Sequence, residues 1–143
     1  MATPFRIGGL DHIVIRVRDM QRMVAFYRDV LDCPVEKVQD DLGLWQLRAG
    51  RTLIDFVDVA GRLGREGGAP PGREALNMDH FCLAVEPFDG TAIATYLRRH
   101  GVEPGDVKSR YGAEGEGPSM YIQDPEGNTV ELKGPGPARL PGE

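Results

Sequence analysis

Two histidines in this chain stand in matching surroundings. Leu10-Asp11-His12-Ile13-Val14-Ile15-Arg16-Val17 has its counterpart in Met78-Asp79-His80-Phe81-Cys82-Leu83-Ala84-Val85: an apolar residue, an aspartate, a histidine and then a β-rich run. Imidazole nitrogen binds divalent metals, and carboxylate oxygen commonly completes such sites. Strand alternation decides which side chains can meet, because residues two apart share a face. Ile13, Ile15 and Val17 form one apolar face, which leaves His12, Val14 and Arg16 opposite; Phe81, Leu83 and Val85 likewise leave His80, Cys82 and Ala84 opposite. Val130 and Leu132 face the helix, which leaves Thr129, Glu131 and Lys133 opposite, and Ile54 and Phe56 likewise leave Asp55 and Val57 on the other face. His12, Asp55, His80 and Glu131 are therefore candidate ligands of one divalent ion. A mixed nitrogen and oxygen set suits Zn, Ni, Fe, Mn or Co without selecting among them. A single strand histidine is more often structural than a ligand; the weight here comes from two histidines at one repeat position and on one face.

The elements that must carry these residues follow the same repeat. After the first histidine run, Asp19 is an N-cap, and Met20, Met23, Val24, Tyr27, Val30 and Leu31 recur at helical spacing until Pro34. After the second, a helix starts near Asp89, places Ile93, Tyr96 and Leu97 on one side and stops at Gly101. Three short strands follow each helix: Val35 to Gln39, Leu44 to Arg48 and Thr52 to Val59, then Asp106 to Arg110, Ser119 to Gln123 and Asn128 to Lys133. The expected fold is α+β, a βαβββ module over about 8–59 and a second over about 78–133. They are joined by a Gly/Pro/Arg-rich linker, 60–77, without regular structure and followed by a loose tail, 134–143. Each half, at roughly 60 residues, would bury a marginal core, so both are read as one domain.

Bulk properties narrow the function classes. At 143 residues with 41% apolar content the chain can bury a core unaided. A net charge of −5 argues against a nucleic-acid partner. Cys33 and Cys82 show no CxxC spacing, which suggests a reducing, cytoplasmic setting. With no leader-like segment before Pro4 and no apolar run near the roughly 20 residues that span a bilayer, neither secretion nor a membrane is expected. Arg62, Arg65 and Arg73 read as solvated linker charge, whereas Lys108 and Arg110 beside a glycine-rich turn are positioned for local anion recognition.

The two Asp-His segments and Tyr121-Ile122-Gln123-Asp124-Pro125-Glu126-Gly127-Asn128-Thr129-Val130-Glu131-Leu132 resemble the vicinal oxygen chelate superfamily, which includes glyoxalase I, bleomycin-resistance proteins, extradiol dioxygenases and fosfomycin-resistance enzymes. The likeness runs from Gly9 to Lys133. It implies paired βαβββ modules forming a curved mixed sheet around a metal, a small-molecule substrate that chelates the ion through neighbouring oxygens, and a homodimer. By the resemblance His12, His80 and Glu131 are metal ligands, and Asp55 takes the place of a glutamate that binds metal and moves a substrate proton. Aspartate is one methylene shorter there. Glu114-Gly115-Glu116-Gly117-Pro118-Ser119-Met120-Tyr121 also resembles the loop and strand that face the phosphonate in fosfomycin-resistance enzymes, with Ser119, Tyr121, Arg110 and Lys108 as candidate substrate contacts and Arg16 a further one.

The implied activity is a glyoxalase-like lyase or isomerase, with Asp55 or Glu131 as the proton-transferring carboxylate. Three alternatives stay open: an extradiol-type dioxygenase on Fe(II), a fosfomycin-resistance-like transferase or hydrolase, and a bleomycin-resistance-like binding protein without catalysis. No further histidine stands in a pocket strand to serve the dioxygenase, since His100 ends the second helix.

Overall fold

Strand-period and helix-period segments alternate as β1 His12–Val17, α1 Met20–Ala25, β2 Val35–Gln39, β3 Leu44–Ala49, β4 Thr52–Asp58, β5 Phe81–Ala84, α2 Gly90–Arg99, β6 Lys108–Gly112, β7 Gly115–Gln123 and β8 Thr129–Lys133. These are the elements of a computed structural model that describes residues 3–137. Two units, Met1–Pro71 and Gly72–Glu143, divide the chain inside the expected linker. Each contains one four-stranded mixed sheet, and the α+β class and the βαβββ repeat stand.

In the first unit the order is β1-β4-β3-β2, with β1 and β4 parallel and the other pairs antiparallel. Parallel neighbours need a long crossover, which α1 and the β2-β3 hairpin supply. Asp19 caps α1 by accepting from the Arg22 amide at 3.1 Å. Met20, Met23 and Val24 are buried, and the helix widens into a π-helical turn over Phe26–Val30, where a plain α-helix was expected. That turn buries Tyr27, whose ring meets Phe56 edge-on at 5.1 Å. Strand β4 lies between two neighbours and is buried on both faces, Ile54 and Phe56 on one, Asp55 and Val57 on the other.

The second unit repeats the order as β5-β8-β7-β6. Asp89 caps α2 through the Ala92 amide, and Gly101 at φ 74° ends it in the left-handed conformation that glycine tolerates. Leu97, Met120, Ile122, Val130 and Leu132 form the core. The β7-β8 turn is held by buried Asp124, whose carboxylate accepts from the amides of Glu126 and Asn128 and from the Asn128 side chain at 2.8–3.0 Å. That staple sets the register of β8 and so aims Glu131.

Three expectations need correction. The linker is not without regular structure: it holds a 3-10 turn at Gly64–Gly67 and a bridge between Gly72 and Ala75. Arg16 ties that turn down by donating to the carbonyls of Gly64, Gly68 and Ala69 at 2.8–3.0 Å. The glycine-rich segment at 115–118 is strand rather than loop, because β6 and β7 pair up to Gly112 and Gly115 and turn at Ala113-Glu114. The tail is attached at its start, where the Gly134 amide donates to the Pro118 carbonyl at 2.8 Å; residues 138–143 lie outside the described residues. Among the described residues no helix is long and apolar enough to cross a membrane.

Candidate functional site

The pairing registers give the two histidine runs the same carboxylate partner. Asp55 on β4 lies opposite Val14, two residues past His12; Glu131 on β8 lies opposite Cys82, two residues past His80. On the far side the next strands repeat the match, with Gln46 opposite Asp55 and Tyr121 opposite Glu131. Each unit thus presents one histidine, one carboxylate and one flanking polar side chain at equivalent positions.

In the first unit His12 Nδ1 lies 2.7 Å from Asp11 Oδ1. An imidazole that donates its Nδ1 proton to a carboxylate has its Nε2 lone pair free and its ring orientation set, the usual support of a metal-bound histidine. The Asp11 hydrogen bond raises the His12 pKa above its ordinary value; desolvation opposes this, and the charges of Asp55 and Asp11 add to the rise. Asp55 is buried, with Oδ2 accepting from Gln46 Nε2 at 3.1 Å and Oδ1 without a partner. A buried oxygen with nothing to accept from costs stability unless something else binds it.

The second unit has the same plan. His80 Nδ1 lies 2.5 Å from Asp79 Oδ1, and Nε2 lies 3.3 Å from Glu131 Oε1. That is long for a charge-assisted hydrogen bond, which falls at about 2.7–2.9 Å. It is near the roughly 3.0–3.4 Å that separates two donors on one ion at ordinary Zn–N and Zn–O bond lengths. The Tyr121 ring meets His80 edge-on at 5.4 Å. Cys82, on the same face, has its thiol pushed up to about 11, first by desolvation and then by the Glu131 carboxylate.

Among the described residues no group of three or more His, Cys, Asp or Glu side chains is arranged so as to hold a metal ion. Each unit carries a pair, His12 with Asp55 and His80 with Glu131. These donors fit a divalent ion in kind: imidazoles held at Nδ1, a carboxylate oxygen left unpartnered, and an imidazole and carboxylate at ligand-to-ligand spacing.

The other candidates divide. Arg110 donates from Nη1 to the Ser119 hydroxyl at 2.7 Å and to the Ser119 carbonyl at 3.0 Å, and its guanidinium stacks 4.4 Å above the Tyr121 ring, so these three do form a cluster. Lys108 is exposed and pairs across to Ser119 in the ladder. Arg16 is engaged by the linker. Sequence reasoning passed over Asp11 and Asp79, although their repetition before each histidine was the available signal. A cavity of about 380 Å³ in the second unit opens beside His80 and Glu131, with Cys82, Lys133 and Tyr111 in its wall. That volume falls within the range of small-ligand sites.

Comparison with known proteins gives the family and the fold. Methylmalonyl-CoA epimerase, mitochondrial, of Mus musculus is 24% identical over 135 residues, covering 90% of this chain and 74% of its own. The glyoxalase domain-containing protein RDO1 of Mycosarcoma maydis is 31% identical over 130 residues, covering 88% and 68%. The crystal structure of virulence protein STM3117 from Salmonella typhimurium superposes with a TM-score of 0.75 at 23% identity, covering 92% of this chain and all of that one, and so shares its fold. Residues 9–132 match the sequence model of one family, and on that match the chain belongs to the Glyoxalase/Bleomycin resistance protein/Dioxygenase superfamily.

Proposed function

We propose that the chain is a metal-dependent isomerase or lyase of the glyoxalase type, in which His12, Asp55, His80 and Glu131 are ligands to a divalent metal. The reading is carried by one observation: in both units the carboxylate lies across the ladder from the residue two past the histidine. The ion, when bound, supplies Lewis-acid stabilisation of negative charge on neighbouring substrate oxygens. The chain's own groups do the rest. Asp11 and Asp79 hold the imidazoles at Nδ1. Gln46 holds Asp55 by Oδ2, which leaves Oδ1 as the atom to accept a proton from substrate carbon and return it to the adjacent carbon. An epimerase among the relatives is in keeping with proton transfer at carbon. The substrate is a small molecule and the chain acts as a homodimer, the second point being tested by light scattering on the eluting species.

Metal analysis of protein purified without chelators should find one divalent ion per chain, and metal-loaded protein should place solvent deuterium on an α-hydroxy carbonyl substrate. Asp55→Asn that abolishes exchange while keeping the metal makes Asp55 the base; loss of metal makes it a ligand. No stoichiometric metal, with none taken up on addition, would sink the proposal in favour of a binding protein. Oxygen uptake with catechols would instead favour the dioxygenase.

The Arg110, Ser119 and Tyr121 cluster supports a second reading, a fosfomycin-resistance-like transferase or hydrolase. A drug-protection assay in cells expressing the chain decides it.

A further inference from the structure

Lys133 is only 7% exposed and lines the cavity of the second unit. Buried lysines are rare unless their charge is paired. The hydrogen bond of this one runs to the neighbouring Gly134 carbonyl at 3.4 Å, too long to contribute much. The nearby Glu131 carboxylate is turned to His80 instead. Two glycines on the adjoining hairpin make room for the arm. A Cβ on Gly112 would stand 2.9 Å from Lys133 Cε and 3.0 Å from Cδ, and one on Gly117 would stand 3.0 Å from Nζ. At Gly117 backbone carbonyls also forbid a side chain, but at Gly112 all three of the near atoms belong to Lys133. The other acids of the cavity wall, Glu86 and Glu114, are exposed, where solvent screens them. A buried, underused ammonium in a channel shaped by glycine is thus aimed into a cavity of small-molecule size.

We infer that Lys133 anchors an acid group of the substrate, distinct from the oxygens that approach His80 and Glu131. Glu131 and Lys133 are two residues apart on β8, about 6.6–6.8 Å between Cα atoms, so both ends belong to one short molecule. The substrate class is a small hydroxy- or keto-acid carrying a second anionic group. The chelating end rests on the metal reading; the anion end does not.

Malate and 2-hydroxybutyrate test this, since both offer a hydroxyl beside a carboxylate and differ by a second carboxylate in place of a methyl. Calorimetric titration of metal-loaded and metal-free protein should show malate bound at least about tenfold more tightly. Lys133→Met should bring the two acids within about twofold, and Gly112→Ala, which keeps the charge but crowds the arm, should lower the ratio in the same direction. Should Lys133→Met fail to fold, Gly112→Ala carries the test. A wild-type ratio near one in both forms, or a ratio untouched by the variants, overturns the anchor and leaves Lys133 as a counter-charge to Glu131. Lys133-dependent preference in a protein that takes up no metal removes the metal reading and keeps the anchor; metal uptake with a ratio of one does the reverse.

Discussion

Replacing Asp55 with valine should stabilise the metal-free protein and weaken its response to metal, an inversion that few other roles produce. Asp55 is 4% exposed on a strand between Ile54 and Phe56, and Oδ1 accepts nothing. An unsatisfied buried polar group costs about 1–3 kcal/mol, and valine both removes it and suits a strand flanked on two sides. Gln46, which loses its acceptor, is only half-buried and can turn to water. For a chain of this size the gain corresponds to a rise in Tm of roughly 3–12 °C. Metal at a hundred times its Kd stabilises the wild-type chain by about 2.7 kcal/mol, a tenfold loss of affinity leaves about 1.4 kcal/mol of that and a hundredfold loss about 0.4 kcal/mol. Thermal melts of both proteins, in chelator and with added Zn, Ni, Mn or Co, provide the four numbers. A metal-free Asp55→Val protein that melts below wild type while its metal shift is unchanged would refute the argument, because Asp55 would then be an ordinary structural residue.

The remaining expectations are more direct. Asp79→Ala leaves the ligands in place but removes the acceptor that orients His80, so metal affinity measured by competition with a chelating dye should fall about 10–100-fold without loss of fold. Gly64→Ala would set a Cβ 1.9 Å from the Asp58 carbonyl, so chemical denaturation should show a loss of about 1–3 kcal/mol, with faster proteolysis between 60 and 77; unchanged stability would contradict the packing of the linker turn. Met23→Ala in the α1 core should cost about 2–5 kcal/mol by the same measurement. In metal-free protein the Asp11 pair raises the His12 pKa above 6.5, so its contribution to stability is complete below 6.5 and fades as pH rises through the raised value. The Tm difference between wild type and Asp11→Asn should accordingly be larger at pH 5.5 than at pH 9, and NMR titration should find the His12 pKa lowered in the variant; a difference that grows with pH would be the wrong sign.

Sequence alone determined the repeat, the helix caps at Asp19 and Asp89 and the sides on which His12 and His80 stand, because alternation and capping are local properties of a few consecutive residues. Tertiary structure decided what is opposite what. That Gln46 reaches Asp55 and Tyr121 flanks Glu131 depends on ladder register between separate strands, which no local pattern encodes. Alternation gives the side but not the depth on central strands: Asp55 and Glu131 were read as lying opposite the helix-facing residues, and β4 and β8 prove to be covered on both faces, so their carboxylates are buried and their hydrogen-bond accounts matter. The glycines between 112 and 117 read as a loop because glycine disfavours strands. Only the fold shows Lys133 lying across the hairpin they keep clear.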